Sequence, residues 1–454
     1  MFCGICGAGN EAISDRVSNR HGESVKVTPA WRVNILGATL WVALIICARN
    51  FGDRGGPYFM ASLTLASIAY LLAIREFFAK PTFSRRLVVF GLILAAVWHI
   101  AFLRLPTGDD DDIHRYVWDG RLQRLGYNPY IVVPSDPAAQ SLHIAETRKL
   151  NNPDLASPYP PGAQLFFRAV TSIRESAFAL RVAFEVCDLL IVFVLLDMLR
   201  RNRRGAHLVL AYAWNPLLAV EVAGSGHIDI VGALLLVVSA AALVRRWRAT
   251  AAVALGLAIA VKFLPVVLLP FYWKRVRVRD AALAAVLVAL LYMPFLNHGR
   301  LPIGSLGTYV QNFRFNGPLF AAVARLAPPQ LLVGLAVFAG LATAAWLRCT
   351  KLEWSPDEFA WPMAAALLCA PAVFPWYLVW LLPFLTSAST LLIIVWTVSI
   401  IPTYVMWHFR TLGRPWGALP VWVILLEYGC VATAGAMIAF RRFRRSPVTW
   451  SNTT

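Results

Sequence analysis

Charge is scarce in this chain. Asp, Glu, Lys and Arg make up 15% of its 454 residues, while 59% are hydrophobic. A soluble domain carries about a quarter charged residues. That scarcity argues against the string of about three soluble domains that length alone would suggest. Long polar intervals are also rare. Apolar runs recur along the chain, each close to the roughly 17–25 residues needed to cross a bilayer, and the mean hydropathy is +0.61.

Acids are scarcer than bases, 24 against 42, which gives a net charge of +18. The bases gather in short clusters between apolar runs: Arg85-Arg86, Arg200 to Arg204, Arg245 to Arg248, Lys274 to Arg279, and Arg441 to Arg445. Cytoplasmic loops look like this under the positive-inside rule, so a membrane lipid environment is expected and no nucleic-acid partner. The seven cysteines are scattered. Cys3 and Cys6 form a lone CxxC with no second pair, which is no zinc pattern. No cleavable signal peptide is expected, because the first apolar run starts only near Trp31.

The order of runs and clusters predicts an all-α polytopic membrane protein with about 11–14 crossings. Residues 1–30 and 441–454 read as cytoplasmic tails, and 31–440 as one membrane-embedded domain. Spans are expected near 31–50, 57–77 and 86–105, then 178–199, 206–222 and 227–244. The run 249–272 is expected to break near Lys262 and Pro265, because one straight crossing would place Lys274 to Arg279 on the wrong side. A second hairpin is expected over 358–385, with FPWY at its outer turn. Between spans lie two outer loops, 106–177 and 298–328, the first carrying a short helix over 111–125.

The longest polar interval is that first outer loop. It opens TGDDDDIHRYVWDG, and Asp109 to Asp112 follow directly on an apolar run. Burying a carboxylate in hydrocarbon costs at least several kcal/mol, so these acids belong in water or along a cavity. The plainest role for some of them is capping the helix that follows. His114, Arg115, Tyr116, Trp118, Asp119 and Arg121 come within a dozen residues of them, and a carboxylate in such company suits a general base for a hydroxyl group. Glu221, His227 and Asp229 form a second constellation beside the GSG turn at 224–226. Ionisable groups in apolar surroundings are functional candidates, and a structural role for a lone His at a helix end is the competing one. Lys262 is the third candidate. It could snorkel to an interface, or hold a phosphate from the turn of a broken helix, with Arg314 of the second outer loop as another cation.

At these residues the chain resembles the GT-C superfamily of integral-membrane glycosyltransferases that use polyprenyl-phosphate sugars. Within it the resemblance is to bacterial mannosyltransferases related to glycosyltransferase family 87. The segments carrying it are DDIHRYVWDG (111–120), GYNPY (126–130), SPYPPGAQLFF (157–167), NPLLAVEVAGSGHID (215–229), KFLPVVLLP (262–270), FRFNGPLF (313–320) and PAVFPWYLVWLLP (371–383). The resemblance implies a GT-C-type bundle and an acidic base in the first outer loop. The D-x-x-R-Y spacing of related lipid A transferases falls on Asp112, Arg115 and Tyr116, so Asp112 is the expected base and Asp111 the alternate.

The implied reaction is inverting transfer of a hexose, mannose by resemblance, from a polyprenyl-phosphate sugar to a glycan or glycolipid acceptor. It would take place at the outer face of a bacterial inner membrane. Lys262, Arg314 or His227 would hold the departing phosphate. Glu221 and Asp229 would orient sugar hydroxyls or a divalent cation, Mg or Mn. Arg115, Tyr116, Trp118, Asp119, Asn128, Tyr159, Asn316, Trp376 and Tyr377 complete the expected substrate-binding set. The competing class is a transporter or lipid flippase, which would also use broken helices and intramembrane charges.

Overall fold

A computed structural model describes residues 31–445, apart from 80–81, 109–110, 300, 352–353, 415 and 418. The expected tails at 1–30 and 446–454, with Cys3 and Cys6, lie outside the described residues, as do Asp109 and Asp110. Among the described residues the architecture is all-α. Its β-type pairing is a single parallel bridge between Phe315 and Ala372.

The helices run in chain order as α1 Trp31–Arg49, α2 Pro57–Ala79, α3 Arg85–Leu103, α4 Asp112–Arg124, α5 Pro161–Ile173, α6 Ala177–Arg201, α7 Val209–Ala213, α8 Asp229–Val244 and α9 Arg248–Val261. They continue as α10 Leu269–Tyr272, α11 Val278–Tyr292, α12 Leu306–Asn312, α13 Pro318–Val323, α14 Pro329–Thr350, α15 Ala360–Leu368, α16 Leu391–Ser399, α17 Val405–Thr411 and α18 Val421–Arg445. Starts are marked in the sequence. Ser84 and Ser176 accept from the backbone N–H of Leu87 and Ala179, capping α3 and α6.

Helices α1 and α2 pack on one another, as do α8, α9 and α11, and α14 packs on α15. Their inner faces fuse into one apolar core. The outer faces of α3, α6, α11, α14 and α18 expose large apolar side chains such as Phe90, Phe193, Val286, Phe338 and Leu425, as lipid-facing helices do. This is a multi-pass membrane protein.

Among the described residues, seven helical stretches are long and apolar enough to cross a membrane, eight with one bent pair. The other expected crossings fall on short or charged elements. Helix α6 carries Arg181, Glu185, Asp188 and Asp197, α8 and α9 have 16 and 14 residues, and the two hairpins are built from pieces. The last helix, α18, runs to Arg445.

The expected straight span 206–222 is corrected. It bends by 67° between α7 and a π-helical turn at Leu218–Gly224. Pro216 has no N–H to donate to the helix. Asn215 fills the break, accepting from Leu217 N at 3.0 Å and donating to Thr397 Oγ1 at 2.9 Å. Gly226, at φ +77°, turns the chain into α8.

Both expected hairpins are present. Lys262 is extended where α9 stops, and the chain then returns through Leu264–Leu268 and α10. Arg246 and Arg248 consequently share a groove with Arg277, Arg279 and Asp280, at the end of the bundle from which α9 set out. In the second hairpin, Thr386 Oγ1 donates to Asp357 Oδ1 at 2.8 Å, so its two ends meet beside Arg204. Between them, FPWY lies at the far end.

Candidate active site

At the end of the bundle opposite the arginine clusters, these breaks and loops enclose a cavity of about 920 Å³. Its walls are the start of α4, the stretch from Asn151 to Pro160, the end of the π-turn, the break at Lys262, helix α12 with Arg314, the FPWY turn, and α17 with the residues after it. Asp111, Asp112, Tyr159, Glu221, His227, Lys262, Arg314, Trp376 and Tyr377 of the expected set all line it.

The two described acids of the DDDD run have different surroundings. Asp111 is buried at the N-cap of α4. It takes a 2.5 Å ion pair from Arg54, and the backbone N–H of Gly108 donates to its other oxygen at 2.9 Å. Arg54 also donates to Ser225 Oγ at 3.0 Å. Asp112 is half-buried. Asn151 Nδ2 donates to its Oδ1 at 2.5 Å and the Tyr159 hydroxyl to its Oδ2 at 3.1 Å. Among the described residues no cation pairs with Asp112. It has two neutral donors, a cavity in front of it, and capacity to take a proton.

Glu221 and His227 form a buried unit. Tyr404 donates its hydroxyl to Glu221 Oε1, and His227 Nδ1 lies 2.9 Å from Glu221 Oε2. The His227 ring stacks on Trp376 at 4.1 Å. Burial works against a charge on His227, but the Glu221 contact outweighs it, and its pKa is raised above the ordinary imidazole value. With Nδ1 on Glu221, Nε2 is the nitrogen left for a ligand.

Lys262 Nζ donates to both oxygens of fully buried Asp229, at 2.8 and 3.0 Å. Trp380 Nε1 donates to the same carboxylate at 2.6 Å, and the Lys262 ammonium lies 4.3 Å from the Tyr377 ring centroid. Asp229 therefore sits behind Lys262, outside the cavity wall. Its expected contact with sugar or metal is corrected: it is fully buried and off the cavity lining, whereas Glu221 stays on that lining, paired with His227. A divalent ion needs several oxygen ligands, and Asp112 is the one described cavity carboxylate with no cation against it. The donor set fits Mg or Mn poorly. Elsewhere, His99, Glu185 and Asp188 bring ligand atoms within 4.8 Å of one another. They sit in α3 and α6 and do not line the cavity.

Arg410 and Arg414 join Arg314 at the rim, among Phe313, Trp407 and Trp416. The Arg314 guanidinium donates to the carbonyls of Val310, Gln311 and Phe313 and lies over Phe320, so its own loop orients it.

Six expected binding residues have other work. Arg115 donates to the carbonyls of Asn151, Asn152 and Leu155, which shapes the wall holding Asp112. Tyr116 is buried against Phe167, and Trp118 stacks on His143 in a satellite core. Asp119 is fully buried and accepts from Ser157 Oγ and Gln164 Nε2. Burial lifts its pKa to about 6, with Arg115 and those two donors acting in the opposite direction. Asn128 donates to Phe295 O and caps its own turn. Asn316 is held by Glu427.

Sequence reasoning missed Arg54, Asn151, Ser225, Tyr309, Tyr404, Trp407, Arg410 and Arg414. Arg54 sits in FGDRGG, the short turn between the first two spans, where a lone Arg reads as a topology signal.

A polytopic α-helical membrane protein with a charged cavity at one end is the class this geometry defines. Residues 31–277 match the MptA/B family, described as alpha-(1->6)-mannopyranosyltransferase, N-terminal domain. The match covers more than half of the chain, and the protein belongs to that family. The crystal structure of ArnT from Cupriavidus metallidurans bound to undecaprenyl phosphate is similar over 78% of this chain and 63% of that one, less than two thirds of its length, at 17% identity and a TM-score of 0.42. No curated protein matches the chain.

Proposed function

We propose that this protein is an inverting GT-C-type glycosyltransferase. It moves a hexose, mannose by its family, from a polyprenyl-phosphate sugar to a hydroxyl of a lipid-linked or glycan acceptor. The observation that carries this reading is the difference between neighbouring acids, with Asp111 consumed by Arg54 and Asp112 left with neutral donors on the cavity.

Asp112 takes the proton from the acceptor hydroxyl as that oxygen bonds the anomeric carbon. The bond from that carbon to the phosphate oxygen breaks, and its electron pair leaves with the phosphate. The cations facing the cavity suit the developing phosphate charge. Lys262 and Arg54 are already paired with Asp229 and Asp111, so Arg314 and His227 Nε2 are the better phosphate ligands. Trp376 and Tyr377 line the cavity beside them and bound the space for a sugar. No step runs through a metal.

The basic clusters at the other end of the bundle support an outward-facing cavity in a bacterial inner membrane, by the positive-inside rule. An α-linked product made by inversion requires a β-linked donor.

Protein purified into nanodiscs, given mannosyl, glucosyl and arabinosyl polyprenyl phosphates in both anomeric forms, tests this by mass spectrometry of the products. Transfer from the β-linked mannosyl donor, with an α-linked product, is expected. Failure with every lipid-phosphate sugar, together with glycolipid translocation in vesicles, would replace the enzyme by a flippase.

A further inference from the structure

Glu427 lies on α18, a helix whose outward side is apolar and exposed at Val421, Trp422, Leu425 and Leu426. Its own side chain is fully buried. A carboxyl is unfavourable in that setting unless its oxygens are satisfied. Trp396 Nε1 donates to Oε1 at 2.7 Å, and Asn316 Nδ2 donates to Oε2 at 2.8 Å. The next residue, Tyr428, donates its hydroxyl to the Asn316 carbonyl at 2.9 Å. Helix α18 therefore grips one residue of the second outer loop by side chain and backbone together.

That residue is where the loop turns. Asn316 has φ +53°, a left-handed conformation that needs support in a residue with a side chain. Just before it, Phe315 N donates to Pro371 O at 3.1 Å and Val373 N donates to Phe315 O at 2.7 Å. The Phe315 ring stacks on Phe374 at 4.3 Å. Arg314, one residue further back, faces the cavity. Its position follows from an anchor clamped between the FPWY hairpin and α18.

We infer that Glu427 is a positioning residue for the cationic rim: through Asn316 it fixes where Arg314 meets the donor phosphate. The inference deepens the proposed function and rests on it. Glu427 itself touches no substrate.

Reversing the polarity of the clamp tests this. Glu427→Gln can pair again only if the Asn316 amide turns over, which gives up the contact of its Nδ2 with Val373 O at 3.4 Å. Asn316→Asp sets a carboxylate against a carboxylate. Together they restore complementarity, because the Gln carbonyl accepts from Trp396 and its amide donates to the new carboxylate. In nanodiscs, Asn316→Asp is expected to raise KM for the β-linked mannosyl polyprenyl phosphate about tenfold and Glu427→Gln by less, with kcat changed far less. The double variant is expected to recover most of the loss. A merely structural role would reduce melting temperature and active fraction while leaving KM alone and would overturn the inference.

Arg314→Gln is the reference. If it leaves donor KM unchanged, the rim reading of the proposed function fails. If it raises KM while Asn316→Asp does not, or if the double variant is no better than Asn316→Asp, the positioning inference fails. Should the Glu427 variants not fold, Tyr428→Phe removes only the backbone grip. A smaller rise in donor KM is then expected, and an unchanged KM overturns the inference.

Discussion

Replacing Asp112 by Asn removes the proposed base while disturbing little else. The Asn carbonyl can still accept from Asn151 Nδ2, now at 2.5 Å from Asp112, and the amide meets the Tyr159 hydroxyl, now at 3.1 Å, which can rotate to accept. Folding and donor binding should survive. What disappears is the ability to take the acceptor proton, a role worth about 10²–10⁴ in rate, or about 2.7–5.5 kcal/mol of barrier. Asp111→Asn is the contrast one residue away. It breaks an ion pair whose side chains are 9% and 6% exposed, and removing one partner of a buried pair costs about 3–5 kcal/mol of stability. Single-turnover transfer from the mannosyl donor and melting temperature, measured on both variants in nanodiscs, separate the two effects. Asp112→Asn should lose about 10²–10⁴ in kcat at nearly unchanged melting temperature, whereas Asp111→Asn should melt early. If Asp112→Asn keeps more than about a tenth of kcat, or the folded fraction of Asp111→Asn is the more impaired in chemistry, the assignment of the base is wrong.

Three further outcomes follow from the same contacts. The raised pKa of His227 means that its charge, and the stability of its contact with Glu221, are fully present below the ordinary imidazole range and are lost as pH rises through the folded value. Donor KM should therefore climb on the alkaline side, and His227→Gln should flatten that limb of the pH–KM profile. Asp119 binds its proton more tightly folded than unfolded, with a pKa of about 6. It therefore lowers stability as pH rises from about 4 to about 6, and Asp119→Asn should remove that slope from melting temperature against pH. Lys262→Met leaves the fully buried Asp229 without its cation and should destabilise by about 3 kcal/mol, the low end for a buried pair because Lys262 is 23% exposed. Adding Asp229→Asn should recover most of that in chemical denaturation.

Much of the architecture was readable because hydrocarbon is a strict solvent. Apolar runs had to be helices, and clustered arginines had to share one side. The break at Lys262 could be anticipated from charge alone, since a straight crossing misplaces Lys274 to Arg279. The kink at Asn215-Pro216 could not, because a Pro inside an apolar run is also compatible with a tolerated bend. Motif spacing brought Asp112, Glu221, His227 and Lys262 into one set without showing which were in contact.

The sequence by itself determined the solvent of this protein, the order of its helices, and the short roster of polar residues able to do chemistry. Only the tertiary structure decided which of them remain available. Arg54 reaches across 57 positions to occupy Asp111, Tyr404 across 183 to occupy Glu221, and Lys262 across 33 to occupy Asp229. In a medium of low polarity every buried charge must find a partner, and packing supplies partners without regard to distance along the chain. Among the described acids of the cavity, that leaves Asp112 as the carboxylate with neutral donors and room for a hydroxyl group.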